Sequence, residues 1–188
     1  MTKNTKRGFA GKRMAMVAML TAVYVALSTL AIVVGGMKLT FEHLPVIICA
    51  VIFGPVDGML VGGLGEFINQ MMTYGLTPTT LLWMAPALVR GLSMGLGAKL
   101  LDRHLGRSAL LNQRFPVALL IYSVVTGLVC AGINTFTLYV DSRMFGYYSY
   151  ALVFGALWFR ILAAVITSVA MVMAAKPVVN ALNKSNMI

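Results

Sequence analysis

The sequence predicts an all-α integral membrane protein, a bundle of six transmembrane helices with the N-terminus and the C-terminus in the cytoplasm. Three observations predict it: the hydrophobic composition, the length of the apolar segments and the placement of the basic residues. Of the 188 residues, 60% are hydrophobic and 11% are charged, whereas a soluble domain carries about 25% charged residues. The bilayer is therefore the solvent that most of this chain is built for.

Four segments are long and apolar enough to cross a membrane, which takes about 20 residues in a helix. They are Met14–Val34, Thr80–Leu101, Phe115–Leu138 and Tyr150–Ala175. The first segment follows a basic tail, but it is too long for the apolar part of a signal peptide, and no small-residue cleavage site ends it. We therefore expect it to be retained as a helix.

The stretch from Leu39 to Leu82 can be interpreted in two ways. Leu44–Leu64 could form one kinked helix, or a short helix could end near Phe53 and a second run from about Val56 to Tyr74. Pro55 lacks an N–H group and disfavours helical geometry in the residue before it. A tight turn at Gly54-Pro55 satisfies both constraints.

The basic residues favour the second interpretation. With six helices, one side of the membrane collects Lys3, Lys6, Arg7, Lys12, Arg13, Lys99, Arg103, Arg107, Arg114, Lys176 and Lys184. The opposite side keeps only Lys38 and Arg143, whereas five helices would move the basic 99–114 connection outside, against the positive-inside rule. We predict a basic cytoplasmic tail (1–13), a six-helix membrane domain (14–182) and a short cytoplasmic C-terminal tail (183–188).

The net charge of +10 is explained by this topology and by anionic lipid headgroups as partners. No nucleic-acid-binding signature accompanies it, so we expect no nucleic-acid partner. Nucleotide-binding and catalytic motifs are also missing from the sequence: the segment 91–100 does not match a phosphate-binding loop. We expect no enzyme activity, no cofactor and no metal site, and we expect Cys49 and Cys130 to be buried thiols.

The predicted outer loops are rich in aromatic and hydroxyl side chains. The second helix, Leu44–Phe53, would span only about 15 Å, so we expect the loop from Gly35 to His43 to fold over the bundle as a lid. The outer loops could form an interfacial aromatic belt, or they could converge as the mouth of a binding site. We favour the binding site.

Three charged residues, Glu66, Arg90 and Arg160, fall within predicted spans, where charges face inward and pair. We expect an ion pair between Glu66 and Arg90; alternatively, an arginine faces an anionic ligand. Polar and aromatic residues near the outer side complete the candidate substrate-binding set. That set is Lys38, Phe41, Glu66, Asn69, Tyr74, Trp83, Arg90, Asn134, Tyr139, Arg143 and Arg160.

The first helix carries small residues at helical spacing: Ala15, Ala18, Ala22 and Ala26. Small residues let another helix approach closely in lipid. This alanine stripe either packs within the bundle or docks a partner membrane protein.

The combination of six helices, the alanine stripe and the Leu39–Gly58 pattern (Leu-x-Phe-x-x-Leu-Pro-Val, then Phe-Gly-Pro and Gly) resembles the substrate-binding S components of energy-coupling factor (ECF) vitamin transporters. The segment Pro78–Leu96 is similar to the folate-type subgroup, although many of its members carry Asp where this chain has Glu66.

The resemblance implies a bacterial plasma-membrane protein that binds a B-vitamin from outside, folate first. Pantothenate, riboflavin or cobalamin remain alternatives, as does a stand-alone carrier or channel. It also implies association with a transmembrane coupling protein and two cytoplasmic ATPases. Through it, Ala18 and Ala22 map to the coupling contact and Gly35–His43 to a gating loop.

Overall fold

A computed structural model describes residues 3–30, 32–34, 37–105 and 115–184. In this part of the chain there are six α-helices, one short antiparallel hairpin and one π-helical turn. The elements are α1 (Lys3–Thr29), β1 (Ile32–Val34), β2 (Met37–Leu39), α2 (Leu44–Phe53), α3 (Pro55–Tyr74), α4 (Thr80–Leu105), α5 (Phe115–Met144), the π turn (Ala151–Gly155) and α6 (Leu157–Lys184).

Three stretches are long and apolar enough to cross a membrane: Thr80–Arg103, Val117–Met144 and Ala151–Val179. The predicted helical architecture is confirmed, and the described residues contain the six helices predicted. That all six helices cross the bilayer, and that both termini lie in the cytoplasm, remain predictions.

The predicted end of the first helix is wrong. The helix stops at Thr29, and Ile32–Val34 forms a strand that pairs with Met37–Leu39, Val33 lying opposite Lys38. Three consecutive β-branched residues favour a strand, and the Gly-Gly sequence that follows them is typical of a hairpin connection. Part of the expected lid is thus a hairpin that leads into α2.

The last three helices, α4, α5 and α6, continue beyond the ends of the predicted apolar runs. Helix α5 continues from the predicted end at Leu138 to Met144, and α6 continues beyond Ala175 to Lys184. The last predicted span begins as the π turn rather than as regular helix. Polar residues at helix ends do not stop a helix, so hydropathy alone places these boundaries too early.

The junction at Gly54 is a turn between two helices, as predicted. Gly54 has φ +100°, a conformation that favours glycine, and its N–H donates to the Ala50 carbonyl over 3.1 Å. Pro55 opens α3 at a position where its missing N–H costs nothing. Helix α3 then folds back on α2, since a Cβ on Gly58 would lie 2.6 Å from the Ala50 Cβ.

Helix α2 is the centre of the bundle. It contacts α1, α3, α4 and α6, and all residues from Pro45 to Ala50 are buried. A helix that is apolar on every side suits this position. Met94, Leu119 and Met171, from three other helices, join it in the main core cluster.

Glycines bring α3 and α4 into backbone contact. A Cβ on Gly91 would lie 2.4 Å from the carbonyl of Gly58, and one on Gly95 would lie 2.3 Å from the Pro55 Cα. Because lipid tails give no hydrophobic drive between helices, such close packing is a main source of their association.

We predict that Gly95→Ala lowers stability by about 1–3 kcal/mol, because the new methyl group meets backbone that cannot move aside. Gly132→Ala is the matched control, since a Cβ there would meet nothing within 4 Å; it should be neutral or stabilising. The melting temperature of the detergent-solubilised protein measures both. Equal melting temperatures for the two variants would contradict the close α3–α4 contact.

Candidate ligand-binding site

A cavity of about 450 Å³ lies between the segment that precedes α2 and helices α4, α5 and α6. Its volume is within the range of small-molecule sites, about 300–1,000 Å³. The lining residues are Thr40, Glu42, His43, Trp83, Arg90, Gly127, Ala131, Asn134, Leu138, Arg160, Ala163, Ala164, Thr167 and Met171.

Arg90 is the main charged group of the cavity. Its side chain comes from α4, the residue is 6% exposed, and its Nε has no hydrogen-bond partner within the described part of the chain. A buried N–H group without a partner is costly, and cations at membrane depth normally pair or face a functional pathway. Arg90 therefore brings an unsatisfied hydrogen-bond donor to the cavity.

Pro86 lies inside α4, between Trp83 and Arg90. A proline in a helix leaves the carbonyl four residues earlier without its usual donor. Here Thr137 Oγ1 of α5 lies 3.3 Å from the Leu82 carbonyl and donates to it, and the Cys130 thiol donates to the Pro86 carbonyl. Side chains of α5 thus support α4 at the level of the cavity.

Arg160 provides a second guanidinium, from α6. Its contacts are long: Nη1 lies 3.5 Å from Thr135 Oγ1 and 3.4 Å from the Val153 carbonyl, and Nη2 lies 3.3 Å from the Leu152 carbonyl. Both carbonyls belong to the π turn, an element that is frequent at functional sites. Arg160 is oriented by this turn but retains donors for another acceptor.

His43 and Glu42 close the cavity from the segment before α2. Burial, and then the positive charge of Arg90, hold the pKa of His43 well below its usual value, so the imidazole is neutral at physiological pH. Its Nδ1 is buried with no hydrogen-bond partner in the described residues, and its Nε2 lies 3.8 Å from Glu42 Oε1. The cavity thus combines two guanidinium groups, a carboxylate, a neutral imidazole and the Trp83 indole.

Four of the predicted substrate-binding residues line this cavity: Trp83, Arg90, Asn134 and Arg160. Tyr74 and Phe41 do not line it, and they are 69% and 40% exposed. Lys38 lies in β2, and its side chain is outside the described part of the structure.

Glu66 and Asn69 are also outside this cavity. Glu66 Oε2 accepts hydrogen bonds from the Tyr24 hydroxyl (2.8 Å) and Asn69 Nδ2 (3.3 Å), and Oε1 accepts one from Gln70 Nε2 (2.7 Å). The expected ion pair with Arg90 is not formed. Three neutral donors satisfy the carboxylate, while Arg90 faces the cavity.

Tyr139 and Arg143 form a separate cluster near the end of α5. The Arg143 guanidinium lies 4.2 Å from the ring centroid of Tyr148 and 5.5 Å from that of Tyr139. This cation–π arrangement holds the loop after α5, and neither residue lines the cavity.

Asp141 was not among the predicted residues, yet it supports the site. It is 9% exposed and accepts hydrogen bonds from the Thr79 hydroxyl (2.5 Å), the Tyr147 hydroxyl and Trp83 Nε1 (3.5 Å). Burial, and then the bond to Asp141, raise the pKa of Tyr147 to about 12. Asp141 therefore joins the start of α4 to the loop after α5 and orients Trp83. A lone carboxylate between aromatic-rich segments is the signal that could have found it.

Sequence reasoning also missed much of the cavity wall. Glu42 and His43 lie in the segment predicted as a lid, but the sequence does not single out either residue as a cavity residue. Gly127, Ala131, Ala163 and Ala164 leave the space between α5 and α6. Gly127 and Ala131, four residues apart on α5, and the adjacent Ala163 and Ala164 on α6 were the available signal.

The alanine stripe lies on the outside of α1. Ala15, Ala18, Ala22 and Ala26 are all exposed, whereas Thr21, Tyr24 and Ser28 on another face are buried. Within the described structure the stripe is not part of internal packing.

Comparison with known proteins identifies the family. A model of the family "ECF transporter, substrate-specific component" matches residues 12–181. The chain belongs to this family. A search of curated proteins gives no match. Because it belongs to the ECF family, the chain is a component of a membrane transporter and not a member of an enzyme family. Family membership implies a ligand and an ECF module as partner.

We predict that stability falls as the pH drops from about 7.5 to about 5.5, because the unfolded chain takes up a proton at His43 (pKa about 6.5) that the folded chain resists. His43→Gln, which cannot be protonated, should show a smaller decrease in melting temperature over the same range. Identical pH profiles for the two proteins would contradict the neutral, buried state of His43.

Proposed function

We propose that this protein is the substrate-binding S component of an ECF-type ABC transporter that imports a B-vitamin, with folate as the first candidate. In this proposal it spans the bacterial plasma membrane six times, with both termini in the cytoplasm. It binds the vitamin from outside and delivers it through a transmembrane coupling protein and two cytoplasmic ATPases. The observation that carries the proposal is the buried Arg90 of the cavity, whose Nε has no hydrogen-bond partner among the described residues.

The two arginines favour a ligand with carboxylates. Arg90 and Arg160 both line the cavity, and a guanidinium binds a carboxylate through two parallel hydrogen bonds. Such a pair would compensate the charge that Arg90 carries in a buried position. Riboflavin has no anionic group, so it would itself supply no counter-ion to either arginine.

The other polar groups favour a ligand with a flat heterocycle. Trp83 offers a ring face for stacking, and the Glu42 carboxylate can accept hydrogen bonds from adjacent N–H donors. Folate carries two carboxylates at one end and a flat, donor-bearing pterin ring at the other. Pantothenate has one carboxylate and no ring, and cobalamin is larger than a cavity of about 450 Å³.

The Glu66 departure from the folate-type pattern does not weigh against folate. Glu66 is bonded to Tyr24, Asn69 and Gln70 and does not line the cavity. An Asp or a Glu at this position therefore makes no direct contribution to the cavity lining.

We predict that folate quenches the fluorescence of Trp83, measured in a Trp158→Phe background so that Trp83 is the only tryptophan of the 188 residues. Arg90→Gln should weaken folate binding by about 30-fold or more, since losing one partner of a buried charge pair costs about 2–5 kcal/mol. Arg143→Gln removes the same charge outside the cavity and serves as the control. No folate response, or equal losses in both variants, would contradict the proposed ligand or the role of Arg90.

The exposed alanine stripe is the proposed contact with the coupling protein. Small side chains on an outer helix face allow the close approach that helix association in lipid requires. The proposal maps Ala18 and Ala22 to this contact, and both are exposed.

We predict that Ala18→Trp and Ala22→Trp abolish ATP-driven uptake while leaving folate binding to the purified protein unchanged, because the large rings block the partner and not the cavity. Val23→Trp is the control, since Val23 is exposed on α1 but lies off the stripe. Uptake in reconstituted vesicles, with and without the ATPase module, measures the effect. Uptake without the module would indicate a stand-alone carrier instead.

A further inference from the structure

Helices α1 and α3 are joined by a row of polar contacts along their whole shared length. Arg13 forms an ion pair with Asp57 (Nε to Oδ2 2.6 Å), Tyr24 donates to Glu66 (2.8 Å) and Ser28 donates to Asn69 (3.0 Å). The residue numbers rise together on both helices, so α1 and α3 run parallel. This row is called the polar seam below.

The polar seam and the alanine stripe lie on opposite faces of α1. At 3.6 residues per turn, the seam residues Arg13, Tyr24 and Ser28 are centred about 150° from Ala18, Ala22 and Ala26. Burial agrees, since Tyr24 and Ser28 are 0% and 1% exposed. Anything that displaces the seam therefore displaces the face that carries the stripe.

Tyr24 is a seam residue that also touches the cavity wall. Its ring centroid lies 5.9 Å from that of His43, at an interplanar angle of 54°, and His43 lines the cavity. The ring also packs closely on α3, where a Cβ on Gly65 would lie 2.5 Å from Tyr24 Cδ1. The ring thus contacts both His43 and the backbone of α3.

The surroundings of the Tyr24 ring are closely packed. Val46, Cys49 and Val61 form a core cluster with it, and packed interiors contain few voids larger than a water molecule. We therefore expect α1 to move with the ring when the position of His43 changes. The hydroxyl bond to Glu66 restrains that movement, and Asn69 and Gln70 hold the Glu66 carboxylate in place.

We propose that Tyr24 is a positioning residue that transmits occupancy of the cavity to α1, and that Glu66 is the anchor of Tyr24 rather than a ligand-binding residue. A molecule that contacts His43 changes the contact between the two rings, and α1 shifts relative to α3 along the polar seam. The orientation of the alanine stripe then differs between the empty and the occupied protein. This inference rests on the proposed function for its ligand, but the His43–Tyr24 contact exists without one.

The test places an environment-sensitive fluorophore on the alanine stripe through Ala22→Cys. Cys49 and Cys130 are buried, and the protein without Ala22→Cys measures their background labelling. The cavity is perturbed in two ways, by adding folate and by His43→Ala, of which the second needs no ligand. Each perturbation is expected to shift the emission of the fluorophore when Tyr24 is present.

Three seam variants identify the route. Tyr24→Leu removes the ring and should abolish both emission shifts. Tyr24→Phe keeps the ring but removes the hydrogen bond to Glu66. It should alter the size of both emission shifts while folate affinity stays within about threefold. Ser28→Ala breaks the seam away from the cavity and should leave the shifts intact. Tyr24→Phe also tests the proposal if Tyr24→Leu does not fold.

The possible results separate this inference from the proposed function. Emission shifts that persist in Tyr24→Leu, or a Tyr24→Phe response identical to that of the unmodified protein, would overturn the role of Tyr24. If Ser28→Ala abolishes the emission shifts as fully as Tyr24→Leu, the whole polar seam and not Tyr24 carries the effect. That result would also overturn the role of Tyr24. If folate does not bind but His43→Ala shifts the emission only when Tyr24 is present, the role of Tyr24 is supported and only the folate proposal fails.

Discussion

The shortness of helix α2 determines the shape of this molecule. Its ten residues extend about 15 Å, roughly half the thickness of the hydrocarbon layer. The long helices around it continue past its first residue, which leaves a space that the chain must fill or line. Thr40, Glu42 and His43, just before α2, line this space together with α4, α5 and α6. The cavity is thus a consequence of one helix that is too short for its neighbours.

The buried charges of the described structure are treated in two different ways. Asp57 pairs with Arg13, Glu66 accepts three hydrogen bonds from neutral donors, and Asp141 accepts bonds from two hydroxyl groups and an indole. Arg90 differs, because its Nε lacks a partner among the described residues and its side chain lines the cavity. Asp57, Glu66 and Asp141 are thus satisfied within the protein, whereas Arg90 keeps a buried N–H group without a described partner at the cavity.

Helix α1 connects the cavity wall with the alanine stripe, the two surfaces on which the proposed transport depends. One face holds Tyr24 against His43 and Glu66, and another face leaves the alanine stripe uncovered. Because a helix moves largely as a unit, the cavity and the stripe need no other connection through the bundle. The glycine contacts that fix α3 to α4 provide the rigid frame against which α1 could move.

The sequence by itself determined the membrane class, the six helices, the turn at Gly54-Pro55 and four of the cavity residues, because composition, helix length and backbone constraints are local properties. Only the tertiary structure decided what each charge faces: residue spacing placed Glu66 and Arg90 at similar depths, but the direction of each side chain depends on how its helix is rotated. The same reason separates Tyr139 and Arg143 from the cavity. Contacts between distant segments likewise bring Glu42 and His43 to the cavity wall and place Asp141 beside Trp83. Helix rotation is set by packing between residues far apart in the chain, and no local pattern encodes it.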